Sequence, residues 1–539
     1  MDYGCLKQTL NLTLCRKTYA ALILILSLFI LAVTAFAGEK DNTLIYGLIG
    51  NTRTLNNAVL SGTSVCMPGT QIFASPLRFD GNWNPKPYLA TSWEFSKDQL
   101  SLTLHLVKDA TFHDGKPITS ADVAFSIGVI KQYHPFKSMF QSVKTVDTPD
   151  AHTAVIRLSK PHPAILICLS PPLCPILPKH IYGDGRDLRT HPANQAPVGS
   201  GPFRFVKSKA DDYVLLERYD GYFMKGLPLL DKIIFKYYDI NGDAVSDLKY
   251  QHIHYYPLMV NNVNTRMLKK EKHLSIMGEG YDVLGPLVWI AFNNKKKPFD
   301  DVRVRRALAY AIDRDNIVKY FSEGFVTVKP ATGPISPENP FFSPDVERYD
   351  YDIEKANAML DEAGLKRDER GIRFSAYIDF LPITFNFSET AEYLKHSLAR
   401  SIGVELIPRY HMSMNAWMEQ VAGLDYDLNI DIVFNWGDPL IGVHRTFMSD
   451  NIKKGVMWSN TEQYVNPEVD GILKSAETET NPEKRKELYA RFQKMVMEDA
   501  PVYPLIVFPY ITIQNNTFIG FENNIWGAMS PLDHVTRKP

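Results

Sequence analysis

Leu100, Leu102, Leu104 and Leu106 alternate with Ser101, Thr103 and His105. A period of two predicts a strand with one buried face. Thr119-Ser120-Ala121-Asp122 follows and has the form of a capping box, in which the acid reaches back to free N–H groups. Val123, Phe125 and Ile127 then begin an apolar run that predicts a helix. Over 302–321 the period lengthens. Val304, Leu308, Ala311 and Ile312 fall on one face of a single predicted helix. A further helix opens at Asn481-Pro482, where Asn caps and Pro suits the first helical position. Its buried face is expected at Leu488, Phe492, Met495 and Val496. It ends before Pro501, because a residue preceding proline avoids the helical region. Pro- and Gly-bearing joints near 82–87, 192–202, 278–286 and 501–509 divide the chain into segments, and strands and helices are mixed throughout, without an internal repeat.

The first 37 residues follow a different pattern. Lys7, Arg16 and Lys17 precede an apolar run from Ala20 to Val33, and Ala35-Phe36-Ala37 offers a small-x-small cleavage pattern. The run is shorter than the roughly 20 residues a membrane span needs. Residues 1–37 are therefore expected to be a cleaved signal peptide, with an uncleaved anchor as the competing reading. No Cys follows the run to carry a lipid. Removing the segment leaves 56 basic and 59 acidic residues, a net charge of -3. No polyanion is implied as partner, since a nucleic-acid reader would show a basic excess. At 539 residues the chain is long enough for two or three folded units.

Beyond the leader, Cys66, Cys168 and Cys174 remain. Cys168 and Cys174 bracket a Pro-rich loop and are candidates for a bridge, and buried free thiols are equally compatible with the spacing. There is no Cys-x-x-Cys, no Gly-x-Ser-x-Gly and no His-Glu-x-x-His. A secreted hydrolase would thus need a noncontiguous catalytic set. His252 and His254 would share one face of a strand, as a metal pair requires, with an exposed or core-edge pair as the alternative.

Several strings resemble one family. Pro87-Tyr-Leu-Ala-Thr-Ser-Trp93, Phe112-His-Asp-Gly-Lys-Pro-Ile-Thr-Ser-Ala-Asp-Val123 and Gly199-Ser-Gly-Pro-Phe203 come first. Phe292-Asn293, Pro298-Phe299, Asp301, Arg303-Val-Arg305 and Ala311-Ile-Asp-Arg314 follow, then Ala356, Leu360, Ala363-Gly364 and Asn466-Pro-Glu-Val-Asp470. In order and spacing they resemble extracellular solute-binding protein family 5, the peptide, nickel and opine binders that serve ABC importers.

The resemblance implies an α/β, two-lobed periplasmic-binding-protein fold of type II, with an extra domain on the first lobe and two hinge strands. The first lobe would be assembled from 38–80, 196–282 and 505–539. The extra domain would be 81–195 and the second lobe 283–504. It implies a monomer in the periplasm with no catalysis and no cofactor. Such a protein binds a peptide or peptide-like ligand by closing its lobes and delivers it to an inner-membrane ABC permease. The competing ligands are a nickel chelate, an opine, an oligosaccharide or an antibiotic-like compound.

In Asp431-Ile-Val-Phe-Asn-Trp-Gly-Asp-Pro439, Asn435 stands where peptide-binding members place the Asp that receives the ligand's amino group. Either Asp438 takes that role or the ligand lacks a free amino end. Arg445 is a candidate for a ligand carboxylate, Trp436, Trp417 and Trp458 for stacking, and Tyr281 for lining the cleft. Each competes with a structural reading, as a salt bridge, a loop cap or a core aromatic. Tyr219 stands where the family has Asn.

Overall fold

The alternating leucines form the strand Ser101–Leu106, with Leu102, Leu104 and Leu106 buried and Leu100 outside it at 37% exposure. It lies between Ala90–Phe95 and Thr153–Leu158 in a four-stranded antiparallel sheet that Val143–Asp150 completes. Helix Ser120–Tyr133 covers that sheet, and its start is the expected capping box: the Asp122 carboxylate accepts from the Thr119 N–H at 2.9 Å. The computed structural model describes residues 42–539, apart from 51–53, 240–242, 260–261, 323–327 and 384. The predicted signal peptide lies outside the described residues. Among the described residues, no helix is long and apolar enough to cross a membrane.

Two larger sheets carry the rest of the chain. A seven-stranded sheet runs in the order Leu274–Met277, Ile511–Asn515, Tyr255–Met259, Thr43–Ile49, Lys232–Tyr238, Tyr213–Arg218, Phe203–Lys209. A five-stranded sheet runs Val404–Arg409, Phe374–Phe380, Leu428–Phe434, Pro286–Phe292, Val502–Val507. Every residue of Pro286–Phe292 is buried, as a central strand covered on both faces requires. The chain crosses from the first of these sheets to the second at 278–285 and returns at 508–510. The two crossings are adjacent: Leu287 pairs with Val507, and the Phe508 N–H donates to the Pro286 carbonyl at 2.9 Å. Residues 505–507, expected with the first lobe, continue a strand of the five-stranded sheet. Residues 44–539 form one compact unit.

The helix expected over 302–321 is two helices, Val302–Ala311 and Arg314–Ser322. Ile312 takes an extended backbone (ψ 113°), and Asp313 Oδ1 accepts from the Asn316 N–H at 2.9 Å. A capping acid inside the apolar stretch offers the backbone a local alternative to continuing the helix. The helix Pro482–Asp499 starts and stops as expected, but its buried face is rotated. Tyr489, Phe492, Val496 and Met497 are its buried apolar residues, while Leu488 and Met495 lie at the fringe of the core. Cys66, Cys168 and Cys174 are all free and buried. Burial pushes the Cys66 thiol up to about 12. His252 and His254 are not a metal pair. His252 is exposed on Asp247 at 3.0 Å, while buried His254 accepts from the Ile45 N–H at 3.0 Å.

Candidate functional site

Two of the strings that carry the family resemblance form a joint. His113 is half-buried; its Nδ1 accepts from the Gly199 N–H at 3.2 Å and its Nε2 faces the Gly201 carbonyl at 3.1 Å. The Phe112–Val123 string is thereby tied to the Gly199–Phe203 turn. A Cβ on Gly199 would lie 2.0 Å from the Ile72 carbonyl oxygen, and one on Gly201 2.4 Å from that of Gln71, so both positions require glycine. Tyr219 has a role in the same joint: its hydroxyl meets the Thr111 hydroxyl at 2.7 Å and the Phe112 carbonyl at 2.8 Å. None of these groups is left over to bind a solute.

Several of the residues that remain lie where the five-stranded sheet meets the other two. Strand Leu428–Phe434 runs out into Asn435-Trp436-Gly437, which is pinned to the first crossing. The Asn435 N–H donates to the Leu284 carbonyl at 2.8 Å and the Gly437 N–H to that of Val283 at 2.6 Å. Trp436 is held at φ 55°, in the left-handed region that bulky residues enter at a cost. That turn places its indole across the joint, 4.9 Å from the ring of Phe136, which follows helix Ser120–Tyr133. Phe434 stacks on Tyr510 at 6.4 Å, and Tyr510 lies 5.6 Å from Tyr281. An aromatic band therefore runs from the second crossing, through Phe434 and Trp436, to Phe136.

The candidates do not converge on one point. Asn435 is buried and spent: its Oδ1 accepts from the Ser336 N–H at 2.7 Å and its amide donates to the Pro334 carbonyl at 3.2 Å. Asp438 is also occupied, by Arg485, in a bidentate pair of 2.6 and 2.7 Å with both side chains buried. Burial alone would raise its pKa; the Arg485 guanidinium outweighs this and holds the carboxyl below its usual value. Tyr281 is buried, its hydroxyl against Thr512 at 2.6 Å and accepting from the Leu258 N–H at 3.0 Å. Trp417 is fully buried and donates to Asn429 at 3.0 Å; Trp458, 6.3 Å from it, is 36% exposed.

Arg445 differs from these. Its helix, Val443–Phe447, starts at Gly442 just beyond the Trp436 loop. Its guanidinium lies 5.3 Å from the Phe136 ring, on the same joint as Trp436. Its only hydrogen bond among the described residues runs from Nη2 to the Met457 carbonyl at 2.8 Å, and none of their carboxylates pairs with it. Sequence reasoning missed His134 and Phe136 beside it. They sit in the break after a helix, before and after Pro135, where the sequence carries a turn signal and nothing that marks a site. Sequence reasoning also missed a buried acid pair in the five-stranded unit. Burial raises Asp431 to about 7, and burial with the charge of Asp431 raises Glu462 to about 8.

The sequence profile of bacterial extracellular solute-binding proteins, family 5 Middle, matches residues 84–463. The chain belongs to this family. A family 5 relative, the oligopeptide-binding protein AppA of Bacillus subtilis, is 27% identical over 523 residues, covering 92% of this chain and 94% of its own. The glutathione-binding protein GsiB of Salmonella choleraesuis is 23% identical over 518 residues, 91% of this chain and 94% of its own. The fold is shared with family 5 structures. NikZ from Campylobacter jejuni in complex with Ni(L-His) superposes with a TM-score of 0.79 at 24% identity, covering 93% of this chain and all of NikZ. The architecture is therefore the two-lobed periplasmic-binding-protein fold.

Proposed function

We propose that this family 5 protein is the solute-binding component of an ABC importer, carrying peptides or peptide-like solutes to an inner-membrane permease. It acts as a monomer in the periplasm after removal of residues 1–37, without catalysis. Likeness over nearly the whole chain to an oligopeptide-binding relative carries this reading. In it, the aromatic band at the joint is the floor of the ligand cleft. Trp436 and Phe136 meet across it from different sheet units, so a ligand contacting both favours the closed arrangement, where both sets of contacts exist together. The test is native mass spectrometry of freshly purified protein with the released small molecules identified. Co-purified peptides of mixed sequence support the assignment. A single non-peptide species refutes the peptide class and leaves a carrier.

One observation favours a second ligand class. Both polar groups of the loop that resemblance assigns to a ligand ammonium, Asn435 and Asp438, are satisfied within the protein. A solute without a free amino end, such as an N-substituted amino acid, needs no partner there. Calorimetry with matched free and N-acetylated peptides separates the two: equal affinities favour this reading, and loss of binding on acetylation excludes it.

A further inference from the structure

We propose that Arg445 and the Nε2–H of His134 form a carboxylate-binding subsite across the joint between the five-stranded sheet unit and the four-stranded one. The proposal rests on the solute-carrier reading and assigns its ligand an anionic group. Three side chains from the two units meet around the Phe136 ring. The His134 ring centroid is 5.5 Å from it, that of Trp436 4.9 Å, and the Arg445 guanidinium 5.3 Å. His134 is fully buried. Its Nδ1 accepts from the Phe136 N–H at 3.0 Å, which places the proton of the neutral ring on Nε2. That nitrogen is buried and has no hydrogen-bond partner among the described residues. Leaving a buried donor unmet is costly, and such groups call for an explanation.

The charge nearby has the same sign of need. Burial, then the positive charge of Arg445, holds His134 down to about 3, so it is a neutral donor at physiological pH. Burial alone lowers Arg445, which remains a cation. Two of its three nitrogens, Nε and Nη1, make no hydrogen bond among the described residues, and no carboxylate there balances its charge. Arg445 is half-buried and its charge is free for an outside partner, whereas the buried Arg485 is neutralised by Asp438. A planar acceptor with two oxygens matches the donors of the Arg445 fork and the single donor of His134, beside the rings of Trp436 and Phe136. Because the two donors come from different units, the carboxylate bridges them and couples binding to closure.

The test uses the whole protein and two kinds of probe. Calorimetry compares tri- to pentapeptides as free acids and as C-terminal amides, and Asp- or Glu-bearing peptides with their Asn or Gln counterparts. These arms distinguish a terminal from a side-chain carboxylate. The acid form should bind at least about ten-fold more tightly than its neutral match. Arg445→Gln should abolish that ratio, and Arg445→Lys should restore part of it. His134→Asn, which keeps an acceptor for the Phe136 N–H, should reduce it. Thermal stability should fall only by the small amount expected for the Met457 hydrogen bond and the Phe136 contact, since no internal ion pair is lost in Arg445→Gln. Equal binding of every acid and neutral pair would overturn the subsite while the carrier reading stands. The second probe is succinate, followed by the ring nitrogens of His134 in NMR. A saturable shift of Nε2, absent in Arg445→Gln, supports the subsite even if no peptide binds. No shift at tens of millimolar overturns it.

Discussion

Asp438→Asn separates two uses of one carboxylate, ligand contact and internal pairing. In the structure Asp438 holds both terminal nitrogens of Arg485, at 2.6 and 2.7 Å, and both side chains are buried. Removing the charge leaves a buried guanidinium whose other partners are the Ala476 carbonyl at 2.9 Å and the Tyr489 hydroxyl at 3.3 Å. Breaking a buried pair from one side costs about 3–5 kcal/mol. Asparagine can still accept one of the two bonds, so the expected loss is about 3 kcal/mol. Over the compact unit of residues 44–539, with an unfolding entropy of about 2.1 cal/mol/K per residue, this lowers Tm by roughly 3 °C. Replacing both partners, as in Asp438→Leu with Arg485→Met, should recover most of the loss, because the desolvation of both ions disappears with their attraction. Scanning calorimetry measures all three variants. The wild type should also lose stability in acid, as the pH falls below the ordinary carboxylate pKa near 4 toward the lower folded value of Asp438. In Asp438→Asn that component of the acid dependence is gone. A variant as stable as wild type but deficient in ligand binding would refute the internal-pair reasoning and return Asp438 to the ligand.

The acid pair gives the opposite pH response. Asp431 and Glu462 are raised to about 7 and about 8 in the folded state, so the folded protein holds more protons than the unfolded chain above pH 4. Stability should therefore decline as pH rises from about 4 to 8, and Glu462→Gln should flatten that decline in urea titrations at a series of pH values. Gly199→Ala places a Cβ 2.0 Å from the Ile72 carbonyl oxygen. Because that neighbour is backbone, a fall of more than about 2 kcal/mol is expected in chemical denaturation. Trp436→Ala removes the contact with Phe136 across the joint. Ligand affinity should fall at least about ten-fold, with an increased radius of gyration in small-angle scattering with ligand present. Cys66, Cys168 and Cys174 should resist alkylation in the native protein and label fully in urea, as buried thiols with raised pKa values do.

Sequence reading reached furthest where the cause is local. The alternation at 100–106, the Thr119–Asp122 capping box and the Asn481-Pro482 start depend on neighbours within four residues. The break at Ile312–Asp313 was missed because apolar periodicity continues through it while a capping acid competes for the backbone. The family strings identify the fold because they build its joints: His113 reaches 86 residues along the chain to Gly199. They say little of the solute for the same reason. Asp438 stayed open between ligand contact and a salt bridge because its partner, Arg485, lies 47 residues away, and His134 looked ordinary because Arg445 is brought to it only by the meeting of two sheets.

The seven-stranded sheet sets an order on biosynthesis. Ile511–Asn515, near the end of the chain, lies between Tyr255–Met259 and Leu274–Met277. Until it emerges, Leu274–Met277 has no sheet partner and Tyr255–Met259 presents an open edge, a template for pairing with other chains. Folding of this sheet cannot be completed during synthesis of the first 500 residues, and contacts this distant in sequence form slowly. A chain destined for export is thereby kept short of its final form until it is fully made. Truncation before residue 511 should yield an aggregating product, even though the residues missing lie outside the aromatic band, which ends at Tyr510.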